Sequence, residues 1–267
     1  MGGSGSVENG GVRIAFEVTG DGTPLVLGHS FLCDRSMWQN QVPRLATTHR
    51  VINVDFRGHG ASGRVSAPCT LYDLVADVEA VLDALGLKRA VWAGLSVGGM
   101  VALRAALTSP DRVGGLILLN TDGGPETAWR RLKYSALAAV ARVVGIRVTA
   151  GQLERQMFGR TFRREHPDVV AQWVYRFQQV DIPSVLRIND ALKWRDDLLP
   201  RLPRVDIPAL VVSGTEDVAL PPARSRRLAA ALPRARSVQL TACGHLSAIE
   251  QPAVVGDAMM EFLGTLD

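Results

Sequence analysis

The sequence predicts an α/β fold: a mostly parallel sheet with helices on both faces, interrupted by a helical insertion. Short apolar runs alternate with helical patterns over most of the 267 residues, which is typical of parallel strands joined by crossover helices. Only helical patterns follow residue 120, and the alternation resumes near residue 209. Hydrophobic residues make up 47% of the chain and charged residues 21%. This balance excludes a disordered chain and allows a large core.

The first half of the predicted core contains five strands and two helices. We expect the strands over residues 12–18, 25–27, 51–55, 90–94 and 113–119. The helix over residues 71–85 is predicted by a capping box of Thr70 and Asp73, by apolar residues at the helical period, and by Gly86 at its end. A second helix is expected over residues 100–108.

A purely helical segment separates the two halves of the core. Its helices are expected over residues 128–144, 151–158, 167–180 and 182–192. Further strands are expected over residues 209–213 and 238–240, and further helices over residues 221–232 and 252–263. We therefore divide the chain into a core, residues 1–120 and 196–267, and a helical cap or lid, residues 121–195.

Several protein classes are excluded by the sequence. No apolar run approaches the roughly 18–20 residues that span a bilayer, so we predict no membrane helix and no membrane partner. Residues 1–7 lack the basic and apolar regions of a secretory signal and are either a flexible native start or a remnant of cloning. The three cysteines, Cys33, Cys69 and Cys243, are too few and too far apart for a disulfide framework. We therefore expect a cytoplasmic protein.

The net charge of +4 arises in one part of the chain, residues 122–200. Residues 122–200 contain 13 Lys or Arg and 9 Asp or Glu, whereas the rest of the chain is balanced. Basic and acidic residues are interleaved and no nucleic-acid-binding motif accompanies them, so no nucleic-acid partner is predicted. The surplus agrees with an anionic substrate, although a solvated helix face explains the same arginines.

A candidate nucleophile, Ser96, lies between the strand at residues 90–94 and the helix that follows. The segment Gly94-Leu95-Ser96-Val97-Gly98 has the pattern Gly-x-Ser-x-Gly. A tight turn from strand to helix brings the backbone on its two sides close together, so it needs residues without bulky side chains on both sides of the serine. The helix N-terminus also supplies free N–H groups and a positive dipole end, which stabilise developing negative charge.

A serine nucleophile needs a base that is oriented by a third group. Asp217 follows a predicted strand and would lie at the carboxyl edge of the sheet beside Ser96. His245 lies in a loop after the last strand and can reach the same edge. Glu216 and Asp122 are alternatives for the acid, and we favour Asp217.

Several linked motifs together resemble the serine-nucleophile branch of the α/β-hydrolase family. They are found at residues 29–31, 55–60, 94–98, 214–217 and 244–245. The resemblance covers residues 12–263 and implies that Phe31 and Val97 donate the two backbone N–H groups of an oxyanion hole. The family form commonly has Gly where this chain has Ser30. The finer resemblance is to small carboxylesterases and 3-oxoadipate enol-lactonase-like hydrolases, whose substrate is a small acidic lactone.

Other residues whose side chains could take part in catalysis are expected to have structural roles. The resemblance implies that Asp55, Arg57 and His59 belong to a structural turn. Cys33 and Cys243 lie near the predicted site, but small buried thiols are common. The histidines and cysteines show no metal-ligand spacing, so we expect no metal and no cofactor.

The predicted function is a serine hydrolase that cleaves a small carboxylic ester or lactone through an acyl-enzyme intermediate. Other functions on this fold stay open: a cofactor-free C–C hydrolase, a hydroxynitrile lyase, a perhydrolase, or a non-catalytic ligand receptor. The cap is expected to set substrate choice. Its predicted substrate-binding residues are Trp129, Leu137, Val140 and Phe158. The oligomeric state is not predicted.

Overall fold

The computed structural model describes residues 2–266 of the chain. Its strands are β1 (Gly3–Asn9), β2 (Val12–Thr19), β3 (Thr23–Gly28), β4 (His49–Val54), β5 (Ala90–Leu95), β6 (Val113–Leu119), β7 (Ala209–Gly214) and β8 (Ala235–Leu240). They form one sheet in the order β1-β2-β4-β3-β5-β6-β7-β8. The pairs β1/β2 and β2/β4 are antiparallel, and all other neighbours are parallel. The carboxyl ends of the parallel strands therefore meet at one edge of the sheet.

The described residues also form eleven α-helices. They are α1 (Val42–Leu45), α2 (Leu71–Ala84), α3 (Val97–Thr108), α4 (Ala128–Val144), α5 (Ala150–Met157), α6 (Arg160–Glu165), α7 (Pro167–Phe177), α8 (Ile182–Lys193), α9 (Pro222–Ala231), α10 (Ser247–Glu250) and α11 (Pro252–Leu263). Helices α4 to α8 all lie between β6 and β7, and we call residues 128–193 the helical segment. The predicted α/β fold class is confirmed.

The core lies on both faces of the sheet because alternate strand residues point to opposite sides. In β3, Val26 belongs to a cluster that includes buried residues of α2, α3 and α9. Its neighbours Leu25 and Leu27 belong to a second cluster that includes residues of α1 and α11. The central parallel strands β5, β6 and β7 are buried on both faces, which explains their continuous apolar runs in the sequence.

Helix α2 forms as its sequence predicts. The backbone N–H and the hydroxyl of Thr70 both donate to Asp73 Oδ2, at 2.7 Å, which completes the capping box. The apolar residues at helical spacing are buried, namely Leu71, Leu74, Val75, Val78, Val81 and Leu82.

Several elements differ from the prediction, and the short helices α1 and α10 were not predicted at all. Residues 3–9 form β1 instead of a flexible start, and they pair with β2 through a two-residue turn. Gly10 and Gly11 have φ angles of 56° and 72° in that turn, a conformation that suits a tight hairpin. Helix α6 was missed because its sequence is mostly charged. Strand β8 begins three residues before its predicted start, because its first residues are mostly polar and exposed at the edge of the sheet and so lack the apolar pattern of a buried strand.

Candidate active site

Ser96 occupies the turn between β5 and α3 with a backbone conformation that is rare for a non-glycine residue. Its φ is 55° and its ψ is −111°. Such strain persists only where the surrounding structure enforces it, and it occurs often at active sites. Three hydrogen bonds fix this backbone: the Ser96 N–H donates to Leu119 O at 2.9 Å, and Ser96 O accepts from Met100 N at 3.0 Å and from Thr121 Oγ1 at 2.7 Å.

The glycines on both sides of Ser96 are required by close backbone contacts. A Cβ on Gly94 would lie 2.1 Å from the carbonyl carbon of Gly98. A Cβ on Gly98 would lie 2.2 Å from the carbonyl oxygen of Gly28, in the adjacent strand β3. No side chain fits at these distances, so the strand can turn directly into the helix only with glycine at both positions.

His245 and Asp217 form a buried pair at the same edge of the sheet. His245 lies in the loop between β8 and α10, and its Nδ1 is 2.9 Å from Asp217 Oδ2. The carboxylate of Asp217 also accepts a hydrogen bond from the backbone N–H of Leu220 at 2.8 Å. An imidazole held through Nδ1 presents Nε2 as the free ring nitrogen.

Asn120 is a candidate site residue that the sequence did not single out. Its Nδ2 donates to Asp217 Oδ2 at 2.9 Å and to Gly244 O at 3.1 Å, so it joins Asp217 to the loop that carries His245. Asn120 has a φ of 45° and follows β6 directly. A polar residue at the carboxyl end of a buried parallel strand was the available signal, as it was for Asp217.

The two alternative acids are engaged elsewhere. Asp122 accepts from Arg224 at 2.7 Å and lies 3.8 Å from Arg195. Glu216 accepts from the backbone N–H and the hydroxyl of Thr161, both at 2.7 Å, and so fastens α6 to the core. Among these carboxylates, Asp217 is the one that contacts His245.

The loop after β3 lies beside Ser96. Phe31 lines the same cavity as Ser96 and His245. The loop is fixed because Ser30 N donates to Met37 Sδ at 3.2 Å, and Ser30 O accepts from Cys33 N at 3.1 Å. The loop's positive φ, 64°, occurs at Leu32, so Ser30 needs no glycine-like conformation.

Val97 is the first residue of α3, so its N–H has no acceptor inside the helix. The two predicted oxyanion donors therefore belong to two segments: Phe31 to the loop after β3, which lines the cavity with Ser96, and Val97 to the start of α3.

A cavity of about 160 Å³ lies between the Ser96 edge of the sheet and the helical segment. Its floor includes Phe31, Ser96 and His245. Its opposite wall is mostly apolar and comes from the helical segment, including Leu137, Ala138, Ala141, Ile146, Leu153 and Met157. The wall is therefore suited to an uncharged carbon chain.

Of the four predicted substrate-binding residues, Leu137 lies in the cavity wall. Trp129 and Val140, in contrast, are 73% and 42% exposed on the outer face of α4 and are not part of this wall. Helix α4 turns Arg130, Tyr134 and Leu137 inward. Trp129 and Val140 fall on another face of the 3.6-residue repeat, which corrects the prediction for these two residues.

Phe158 also lies outside the cavity wall. It is buried within the helical segment, and its ring stacks on Phe162 and Phe177 with centroid distances of 5.8 Å and 6.3 Å. Its role in the fold is packing, which corrects the prediction for this residue too.

One end of the cavity carries charge. Arg130, Arg195 and Glu126 line it, and Glu126 lies 3.1 Å from Arg130 and 3.4 Å from Arg195. Burial opposes ionisation of Glu126, but the attraction of Arg195, Arg130 and Arg224 lowers its pKa below the usual value. With Asp122, two carboxylates therefore face four guanidiniums, those of Arg130, Arg195, Arg224 and Arg227, which leaves two positive charges in excess.

The other histidines and cysteines near the cavity have structural surroundings that disfavour a chemical role. Burial lowers the pKa of His29 to about 4, and its ring supports the loop before Phe31 by accepting from Phe56 N at 2.9 Å. Burial lowers the pKa of His59 to about 3. Burial raises the pKa of the Cys33 and Cys243 thiols well above the usual value, which disfavours the reactive thiolate.

A family model described as the alpha/beta hydrolase fold matches residues 23–252. This chain belongs to the α/β-hydrolase family. It is 29% identical over 241 residues to 3-oxoadipate enol-lactonase 2 of Acinetobacter baylyi, covering 90% of this chain and 88% of the relative.

Two solved structures extend the comparison. A thermophilic esterase from Thermogutta terrifontis superposes with a TM-score of 0.92 at 30% identity, covering 98% of this chain and 97% of the other. The enol-lactonase from Burkholderia xenovorans LB400 superposes with a TM-score of 0.91 at 31% identity, covering 97% and 100%. The predicted resemblance is thereby confirmed, and the chain is a hydrolase of this fold.

The hydrolase also buries a carboxyl group next to its histidine loop. Glu250 ends α10, and its Oε2 accepts from Gly244 N at 2.7 Å and from Gly159 N at 3.1 Å. One oxygen thus connects the His245 loop to the helical segment. Burial raises the pKa of Glu250 to about 7, although these two hydrogen bonds and His245 oppose the rise.

Glu250 is expected to make stability depend on pH. A carboxyl group whose pKa is higher in the folded state binds its proton more tightly when folded. Its contribution to the free energy of unfolding therefore falls as pH rises from about 4.5 to about 7. This pKa shift corresponds to a change of about 3 kcal/mol in the free energy of unfolding. Glu250→Gln keeps an oxygen for both N–H groups but cannot ionise. Urea unfolding of the two proteins between these pH values should show wild type losing about 3 kcal/mol relative to Glu250→Gln.

Glu261→Gln is the matched control, because Glu261 is exposed and pairs with Arg236 on the surface. The pH dependence of its unfolding free energy should follow that of wild type. A Glu250→Gln profile parallel to wild type would contradict the assignment of the pH dependence to Glu250.

Proposed function

We propose that this hydrolase cleaves small carboxylic esters or lactones through an acyl-enzyme formed on Ser96. The observation that carries the proposal is the convergence of three groups. Ser96 sits in a strained turn at a helix N-terminus, and the hydrogen-bonded pair of His245 and Asp217 opens into the same cavity. A nucleophile, a base and an orienting acid in this arrangement support acyl transfer.

Each residue has one chemical role in the proposal. His245 Nε2 removes the Ser96 proton as Oγ bonds to the substrate carbonyl carbon, and the carbonyl electrons move to its oxygen. When this intermediate collapses, the bond to the leaving oxygen breaks and His245 donates the proton to it. His245 then activates water, which releases the acid and restores Ser96. Asp217 holds the imidazole in the required tautomer throughout.

The backbone N–H groups of Phe31 and Val97 are the proposed oxyanion donors. They act where charge develops, and loss of one such donor typically costs about 10²–10³ in rate. Asn120 is a positioning residue, since it contacts Asp217 and Gly244. The helical segment is the proposed lid, because it supplies the apolar wall that faces Ser96.

The direct test is hydrolysis of a panel of p-nitrophenyl esters and small lactones, run in parallel with Ser96→Ala. The proposal expects turnover of at least one ester or lactone by wild type and none above background by the variant. Turnover by both proteins would contradict it.

A substrate that carries a carboxylate is expected to be preferred at low salt. The cluster at the charged end of the cavity has two positive charges in excess, and such a field raises encounter rates by about tenfold or more. The measurement is kcat/KM for a neutral ester and for its carboxylate-bearing analogue, at low and high ionic strength. The preference should decline with salt, because screening acts over a Debye length of about 8–10 Å.

Arg130→Met is the informative variant, since Arg130 lines the cavity, and Arg164→Met is the control on an exposed helix. Only Arg130→Met should reduce the preference for the anion. An anion preference that is absent, or that does not change with salt, would remove the electrostatic argument and leave an esterase for neutral substrates.

A further inference from the structure

Large apolar side chains are exposed together on the outer surface of the helical segment. The six residues that form this outer stripe are Trp129, Leu132, Val140, Val143, Val144 and Val148. Single exposed apolar residues are normal on a protein surface, but a contiguous group marks a contact surface. Val143 is 82% exposed, which shows how little of the stripe the chain itself covers.

The outer stripe follows one face of α4. Five of its six residues lie in this helix, at positions 129, 132, 140, 143 and 144. At 100° per residue, these positions fall within an arc of about 120° around the helix axis. No residue of α4 is fully buried, so the helix rests on the molecule by its inner face alone. With 17 residues, α4 presents the stripe along about 25 Å.

The segment that carries the outer stripe has charge of a single sign. At 100° per residue, Lys133 falls inside the arc of the stripe, and Arg131 and Arg142 fall on another flank of α4. Residues 127–153 contain five basic residues and no acidic residue. Arg130 turns inward to Glu126. The other four, Arg131, Lys133, Arg142 and Arg147, have no ion pair with any residue in the described range 2–266. Arg131 lies 4.9 Å from the ring centroid of Trp194, which is itself 70% exposed.

We propose that α4 and its outer stripe dock on an anionic lipid surface. An amphipathic helix with apolar and aromatic side chains beside uncompensated Lys and Arg lies in the plane of such an interface. A second copy of this chain is disfavoured as the occupant, because a symmetric contact would bring four unpaired cations against four others. No helix among residues 2–266 is long and apolar enough to cross a bilayer. The docking is therefore peripheral, and it revises the sequence-based expectation of no membrane partner.

Docking would bring the cavity close to the lipid. The inner face of α4 carries Tyr134, Leu137 and Ala141 into the cavity wall, and the outer stripe lies on a face of the same helix about 120° away. The distance across a helix with its side chains is about 10 Å. The apolar wall of the cavity would then lie within one helix diameter of the bilayer.

The test is co-sedimentation of the full chain with vesicles of phosphatidylcholine alone or with about one-third phosphatidylglycerol. We expect binding to the anionic vesicles that falls about tenfold at high salt, and little binding to the neutral ones. Val143→Glu should reduce binding about tenfold or more, because it places a carboxylate in the apolar face. The double variant Lys133→Gln/Arg142→Gln should reduce binding and its salt dependence.

Val254→Glu is the matched control: it makes the same change at a valine that is 48% exposed on α11, outside the outer stripe. It should bind like wild type, and all variants should keep the thermal unfolding midpoint of wild type. Equal binding to neutral and anionic vesicles, or equal loss in Val254→Glu, would overturn the proposal. A dimer in sedimentation velocity that Val143→Glu dissociates would overturn it in favour of a second copy. Ser96→Ala should bind vesicles normally, so this test is independent of the proposed reaction.

Discussion

Ser96→Ala is expected to lower kcat for ester hydrolysis by about 10⁶ and to leave the fold intact. The hydroxyl is the group that forms the covalent bond in the proposed reaction, and no other side chain at the turn can replace it. His245→Ala should cause a comparable loss, since the serine and its base act as one unit. For the same reason, the double variant should be no worse than either single variant.

The measurement is kcat on the best substrate of the ester and lactone panel, with thermal unfolding as the check on folding. Ser96 is only slightly exposed, but its hydroxyl faces a cavity, so its removal should change the unfolding midpoint little. Retention of more than about one per cent of activity in either single variant would contradict the assigned roles.

Asp217→Asn is expected to lower kcat by about 10⁴. An amide at this position can donate to His245 Nδ1 and favour the tautomer in which Nε2 carries the proton, which leaves no base facing Ser96. Asp122→Asn is the matched control, because this buried carboxylate contacts Arg224 and Arg195 instead of His245. We expect it to lower stability while changing kcat less than about tenfold.

Both variants should be assayed over a range of pH, together with unfolding in urea. Asp217→Asn should lose activity at every pH between about 5 and 9, because the defect is the tautomer and not the ionisation of another group. If Asp122→Asn proved the more damaging change for kcat, the acid would be Asp122 and the role of Asp217 would be structural.

The sequence predicted those parts of the molecule that depend on local signals. Helix α2 has a capping box and a helical apolar stripe, so its prediction needed no knowledge of the remaining chain. The turn at Ser96 has glycines whose need follows from backbone geometry alone. The order of Ser96, Asp217 and His245 along the chain, each near the end of a strand, was enough to bring them to one edge of a parallel sheet.

The parts that were missed depend on how distant segments pack. The contacts of Asn120 follow from the meeting of three loops, so its position at the end of a strand marks it as polar without showing which groups it binds. Trp129 and Val140 were predicted to face the cavity because α4 has apolar residues on more than one face, and the sequence does not say which face docks. Strand β1 lacks the apolar alternation of a strand, since Gly and Ser fill most of its positions.

The most direct test of the proposed mechanism is the mass of the protein during turnover. Wild type is mixed with a slowly released p-nitrophenyl ester, quenched in acid, and measured intact before peptide mapping. The proposed mechanism predicts a mass increase equal to one acyl group, located on Ser96, which disappears in Ser96→Ala and accumulates when deacylation is slow. Turnover without any adduct, or an acyl group mapped to Cys243 or another residue, would contradict it.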